Sequence, residues 1–236
     1  MTQAIELSGS KIYLSQLATI QQARGDDQNA LITFNRDIEL YPQLAYAFTN
    51  RGRFHLDRHE LDAAIADFTK AIELKMTDER PFRWRGEAYK AKGDELLAKA
   101  DWYRAIEIAS EDFPIARKNG AASGEALENF GIVAELNEML GDRGAADAAY
   151  RDMLALTSFS WRATDKRWRA WAFYKLGQNE RAADEIALVL RIWPNDAEAL
   201  NTRGHINEAL GRKDEAAADY QLAAKSDCLK GFHLER

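Results

Sequence analysis

The chain has one cysteine, four prolines and no surplus of positive charge among its 236 residues. The single Cys228 has no intramolecular partner, so the disulfide framework that marks oxidising compartments is absent and a cytoplasmic location is the default. So few prolines, set against abundant Ala, Leu, Glu, Lys and Arg, argue for an all-α chain over a sandwich or barrel. A formal net charge of −6 lacks the basic footprint of a nucleic-acid binder, and no nucleic acid is expected as partner. Met1 to Ser10 lacks a basic stretch followed by an apolar one, and no apolar run approaches the roughly 20 residues of a membrane span, so no membrane partner is expected. With 46% hydrophobic and 30% charged residues the chain can still bury a core.

Catalytic signatures are missing too. The sequence has no phosphate-binding Gly-rich loop, no Gly-x-Ser-x-Gly elbow and no His-Glu-x-x-His pair, and it offers no strands to carry them. His55 and His59 are four apart and could share a helix face, but no third ligand accompanies them, so they read as a core residue and a hinge residue. Cys228 has no histidine partner at a recognisable spacing. Paired acids such as Glu107 and Glu111 read as a solvated face. No catalytic residue, metal or cofactor is expected, and the chain reads as a non-enzyme.

What the sequence does have is repetition. Helix-Gly-polar-helix hinges recur at Gly25, Gly93, Gly141, Gly177 and Gly211. Alanines follow at 30, 64, 98, 146, 182 and 216, spaced 34, 34, 48, 36 and 34 apart, which is one period of 34 carrying two insertions. Four residues after each alanine stands a bulky apolar side chain: Phe34, Phe68, Trp102, Tyr150, Ile186 and Tyr220. Small then large, one turn apart, suits close-packed antiparallel helices.

These residues resemble the tetratricopeptide repeat family, best seen in Glu79 to Asp112 with Phe82, Gly86, Tyr89, Gly93, Ala98, Trp102 and Ala105 in register. Six copies follow, 11–44, 45–78, 79–112, 127–160, 163–196 and 197–230, with an N-terminal extension 1–10, an insertion 113–126 and a tail 231–236. Departures include His55 and Asn137 in place of Tyr, Lys166 in place of Trp, Asp37 in place of a small apolar residue, and His59 in place of the hinge glycine. The resemblance implies an α-solenoid of paired helices forming a right-handed superhelix with a concave groove. The insertion, rich in Gly, Ala and Ser, reads as a surface loop or extended helix end, or else as a pivot or ligand-touching flap.

The resemblance also implies which residues line the groove: positions 2, 5, 9, 12 and 13 of each copy. In the second copy these are Tyr46, Thr49, Arg53, Leu56 and Asp57, and in the third Arg80, Arg83, Glu87, Lys90 and Ala91, a mostly basic stripe. The fourth copy supplies Glu128, Gly131, Glu135, Glu138 and Met139, an acidic stripe. The fifth supplies Thr164, Arg167, Trp171, Tyr174 and Lys175, and the sixth Glu198, Asn201, His205, Glu208 and Ala209. The family's clamp for chaperone C-terminal carboxylates maps onto Ser15, Thr19, Asn50, Arg80 and Trp84; only Asn50 matches and Arg80 is similar, so that use is not expected. Trp161, Trp168 and Trp171 are left unassigned to the core. The resulting expectation is an interaction scaffold or adaptor with a protein or peptide partner. The alternatives are an assembly subunit that self-associates through its terminal helices, including a weak homodimer through Ala217, Tyr220, Leu222 and Ala224, and an enzyme without recognisable motifs.

Overall fold

The computed structural model describes residues 14–74, 77–111, 113–119, 124–157 and 163–230, without the side chains of 119, 124, 125, 163, 164 and 227–230. The 1–10 extension, Trp161, the Cys228 side chain, and Phe232 and Leu234 of the tail lie outside the described residues. Among those described, all regular structure is helical: α1 (14–23), α2 (Asp27–Leu40), α3 (Ala45–Asp57), α4 (Leu61–Glu73), α5 (Arg80–Lys92), α6 (Glu95–Ala109), α7 (Phe113–Asn119), α8 (Gly124–Leu140), α9 (Arg143–Leu156), α10 (Ala163–Lys175), α11 (Asn179–Ile192), α12 (Ala197–Ala209) and α13 (Lys213–Lys230). They form two compact units, residues 1–108 and 109–236, each a stack of helix-turn-helix pairs.

The hinges work as the sequence predicts. Gly25, Gly93, Gly141, Gly177 and Gly211 all adopt left-handed backbone, with φ between +75° and +88°. His59 takes the same conformation, at φ +57°, where a side chain costs roughly 1–2 kcal/mol. Asp26 and Asp142 accept the backbone N–H of Asn29 and Ala145, starting the helices that follow two of these turns. A connection this short leaves the second helix of a pair no path except back along the first.

Packing confirms the period. Ala30, Ala64, Ala98, Ala146, Ala182 and Ala216 are all buried, as are Phe34, Phe68, Trp102, Tyr150 and Ile186. Each large ring withdrawn from water contributes about 1.5–3 kcal/mol. Opposite the rings sits a third small position. A Cβ on Gly52, Gly86 or Gly204 would lie 2.7, 2.5 or 2.4 Å from Phe68, Trp102 or Tyr220, so these glycines let the ring lie against the backbone of the paired helix. The core of the second unit extends through Ala170, Phe173, Ile186, Val189, Leu200, Ile206 and Ala223. Asp37, at a position that usually holds a small apolar residue, is wholly buried: one carboxylate oxygen accepts the Ser15 hydroxyl at 2.5 Å and the other has no partner. Burial raises its pKa, which the Ser15 bond partly offsets.

Two expectations need correction. The first half of the insertion is a packed helix, not a loop: Phe113 stacks on Phe130 at 3.6 Å between centroids, and Arg117 lies over both rings while bonding Asp152 at 3.0 Å. Phe113 is an apolar anchor there, which outweighs the loop-forming composition that follows it. The last helix runs to Lys230. Within it Tyr220 does not belong to the open face, because its ring covers Gly204 and its hydroxyl meets Glu208 and His205, both at 3.0 Å.

Candidate partner-binding clefts

In each unit the first helices of successive pairs lie side by side, α3 against α5 and α10 against both α8 and α12. Their outward side chains line a cleft in each unit.

The cleft of the first unit has a volume of about 570 Å³ and is lined by Thr19, Gln22, Ala23, Phe34, Tyr46, Asn50, Arg53, Asp57, Arg80 and Trp84. Two guanidinium groups approach the Trp84 ring, Arg53 at 5.2 Å and Arg83 at 5.5 Å, and Arg80 lies 5.4 Å from the Tyr46 ring. Cations over aromatic faces are held by the ring quadrupole. Gln22 donates to Asp57 at 3.0 Å across the wall.

Two of the cations expected here, Arg53 and Arg80, are neutralised by neighbouring acids. The Arg80 Nε bonds both oxygens of Asp78 at 2.8 and 2.9 Å, and Arg53 lies 2.9 Å from Asp57 and 3.8 Å from Glu87. Asp78 was not foreseen because it precedes its helix and lies off the groove positions. Burial, then the neighbouring Asp78, pushes the Glu79 carboxyl up to about 7, while the Arg80 and Glu79 bonds hold Asp78 low against its own burial. Glu87 is half-buried and raised by desolvation, with Arg53 and Arg83 opposing. Lys90 reaches towards the Trp102 ring, 5.5 Å away, and not into the cleft. Thr49, expected on the groove, is fully buried and bonds the Ala45 carbonyl at 3.1 Å, because its short hydroxyl can be satisfied one turn back along its own helix.

The cleft of the second unit is smaller, about 250 Å³, and is lined by Glu135, Arg167, Trp168, Trp171, Glu198, Asn201, Thr202 and His205. Trp171 packs 5.3 Å from Tyr174 and 6.0 Å from His205, and Tyr174 stacks near His205 at 6.1 Å. Gly131 makes room for Trp168: a Cβ there would stand 3.0 Å from the indole. Arg167 is paired with Glu198 and lies 3.8 Å from Asp196, which also caps α12 by accepting the Ala199 N–H. Glu138 turns away to bond Lys175 at 2.6 Å. The Tyr150 hydroxyl is raised by burial and then by the Glu138 and Glu135 carboxylates, with Arg143 and Trp171 opposing. Glu128 is exposed outside the cleft lining. Among the described residues no three His, Cys, Asp or Glu side chains converge as a metal would require; His55 bonds Glu60 at 2.5 Å instead.

Residues 197–227 match the family model described as tetratricopeptide repeat. The whole described fold is similar to solved structures, two of them described as of that kind. One is a tetratricopeptide repeat protein from Parabacteroides merdae, 21% identical with a TM-score of 0.57, matched over 92% of this chain and 78% of the other. Another is a thermophilic TPR protein of Thermus thermophilus, 19% identical with a TM-score of 0.57, over 85% and 98%. A third is pilF of Pseudomonas aeruginosa, 16% identical with a TM-score of 0.53, over 90% and 89%. Residues 197–227 thus match the family's repeat, and the described fold as a whole is that of solved tetratricopeptide repeat proteins.

In this chain the five groove positions implied by the resemblance are incomplete. Position 6 also faces a cleft in the second, third, fifth and sixth copies, through Asn50, Trp84, Trp168 and Thr202. The available signal was the pair of tryptophans at this position in copies 3 and 5, one of them already unassigned to the core.

Proposed function

We propose that this chain is a non-catalytic scaffold of the tetratricopeptide repeat kind that holds a protein or peptide partner against the first helices of its repeats. One observation carries the reading. Every residue lining the two clefts except Phe34 comes from a first helix, and the linings concentrate Trp, Tyr and Arg. These residue types dominate interface energetics once desolvated. The ion pairs among them contribute little to the fold's own stability, since exposed pairs such as Arg53–Asp57 typically supply about 0–1 kcal/mol. A clustering of partly exposed Arg and Trp along the first helices is what a binding surface requires.

Affinity capture with the full chain as bait, read by mass spectrometry, tests the proposal. A stoichiometric partner that is retained by wild type and lost with Arg80→Glu/Arg83→Glu or with Trp171→Ala, at unchanged melting, supports it. Recovery of the bait alone, with light scattering showing a dimer, would replace it with the self-assembly reading. A partner retained equally by all three proteins would move the site off the first helices.

A further inference from the structure

We propose that a second cavity of this unit, between α9, α10 and α11, binds a small phosphorylated molecule. Arg151 and Arg181 meet its phosphate, and Leu154 and Leu176 meet its apolar body. The site is separate from the partner-binding clefts and does not depend on that reading.

The cavity has a volume of about 360 Å³, within the roughly 300–1,000 Å³ of small-molecule sites. It lies on the face of α10 opposite the cleft. Arg169 and Phe173 line the cavity, whereas Arg167 and Trp171, each two residues earlier, line the cleft, and two residues turn a helix by about 200°.

The charged lining is Arg151, Arg169 and Arg181, with no carboxylate among the lining residues. Among the described residues Arg181 has only neutral partners, the Gln178 amide oxygen at 2.7 Å and the Phe173 ring at 4.2 Å. Its charge is therefore unpaired while its position is held by the ring. The other two arginines do meet acids, but each acid is shared. Glu185 serves Arg169 at 2.7 Å and Lys166 at 3.4 Å. Asp147 lies 3.5 Å from Arg151 and 2.9 Å from Arg143, and Arg143 also reaches Glu138, which bonds Lys175. These five cations share three carboxylates before Arg181 is counted. Asp152 and Glu180 lie against Arg117 and Arg212 instead, and Asp184, exposed on α11, does not line the cavity.

Arginine forks match phosphate oxygens bidentately, and a phosphate dianion answers a surplus of more than one positive charge better than a carboxylate does. Leu154 and Leu176, both half-buried, offer apolar surface beside the forks for the rest of the molecule.

Phosphorus NMR of phenyl phosphate titrated with the full chain at constant ionic strength tests this, with inorganic phosphate and benzoate as competitors. The comparison proteins are Arg151→Gln/Arg181→Gln, which removes charge, and Ala155→Trp, which fills the cavity from an exposed position. Arg169 is left intact because it ties two repeats together through Glu185 and Thr157, and melting curves confirm that both variants fold. The expected result is one saturable site per chain, about tenfold weaker in the double variant and lost in Ala155→Trp, with phenyl phosphate preferred to both competitors. Binding that does not saturate, or that is equal in all three proteins, would overturn the site. Benzoate competing as well as phenyl phosphate would overturn the phosphate assignment. Retention of phosphatidic acid vesicles by wild type but not by the double variant would overturn the small-molecule source in favour of a lipid headgroup.

Discussion

Arg85 forms a two-pronged bond to Asp101, its Nε and Nη2 each 2.8 Å from a carboxylate oxygen, while its Nη1 reaches back 2.9 Å to the Thr69 hydroxyl of the preceding repeat. The arrangement recurs at the same 16-residue separation in Arg51–Asp67, Arg169–Glu185 and Arg203–Asp219. Arg51 likewise donates to Asn35, and Arg169 to the Thr157 carbonyl, so each ties its own helix pair to the one before it. Burial alone would lower the Arg85 pKa, but the Asp101 bonds raise it. Removing one partner strands a nearly buried charge. Arg85→Met is therefore expected to lose about 3 kcal/mol in urea unfolding, and Arg85→Met/Asp101→Leu to lose clearly less than the single variant. Equal losses would show that the pair does not act as a unit.

The glycines facing the rings give a prediction whose sign differs between sites. Alanine is the better helix former by about 1 kcal/mol. At Gly144 an added Cβ meets nothing closer than 3.5 Å, so Gly144→Ala should raise the melting temperature. At Gly86 it would stand 2.5 Å from the Trp102 indole, so Gly86→Ala should lower stability by roughly 1–3 kcal/mol despite the same propensity gain. Ala98→Leu, which inserts bulk at a fully packed alanine of the same pair, should cost a similar amount, about 1–3 kcal/mol. A stabilised Gly86→Ala would mean the ring does not lie against this helix.

Glu79 makes stability depend on pH near neutrality. Its folded pKa, about 7, lies above its ordinary value of 4.5. The proton is held more tightly in the folded state, so the contribution is complete below pH 4.5 and is lost as pH rises through 7. Glu79→Gln keeps the neutral shape at every pH. Its melting temperature should match wild type near pH 4.5 and exceed it increasingly up to pH 8. Parallel curves across that range would exclude the Asp78–Glu79 contact as the source.

Much of the fold was legible because the repeat imposes the same steric demand six times. The buried alanines, the rings four residues on and the left-handed hinges, including His59, all follow from the 34-residue period. The Arg–acid pairs were equally present in the sequence but escaped notice, since charged residues read singly look like solvated surface. Their signal is paired replacement: where the fourth copy has Val133 at the arginine position, it has Ala149 at the acid position. The clefts were half legible. Position-based reading found Tyr46, Arg53, Arg80, Arg167, Trp171, Asn201 and His205, but spacing cannot report that Thr49 bonds its own helix or that Asp78 reaches Arg80 from outside the repeat face.

The central claim is that a partner is held by the first helices. Hydrogen–deuterium exchange of the full chain, with and without a saturating amount of the partner recovered by affinity capture, tests it most directly, because protection is read segment by segment. The account predicts slowed exchange in α3 and α5 or in α8, α10 and α12, with α4, α6 and α11 unchanged. Protection confined to α4, α6 and α11 would contradict it.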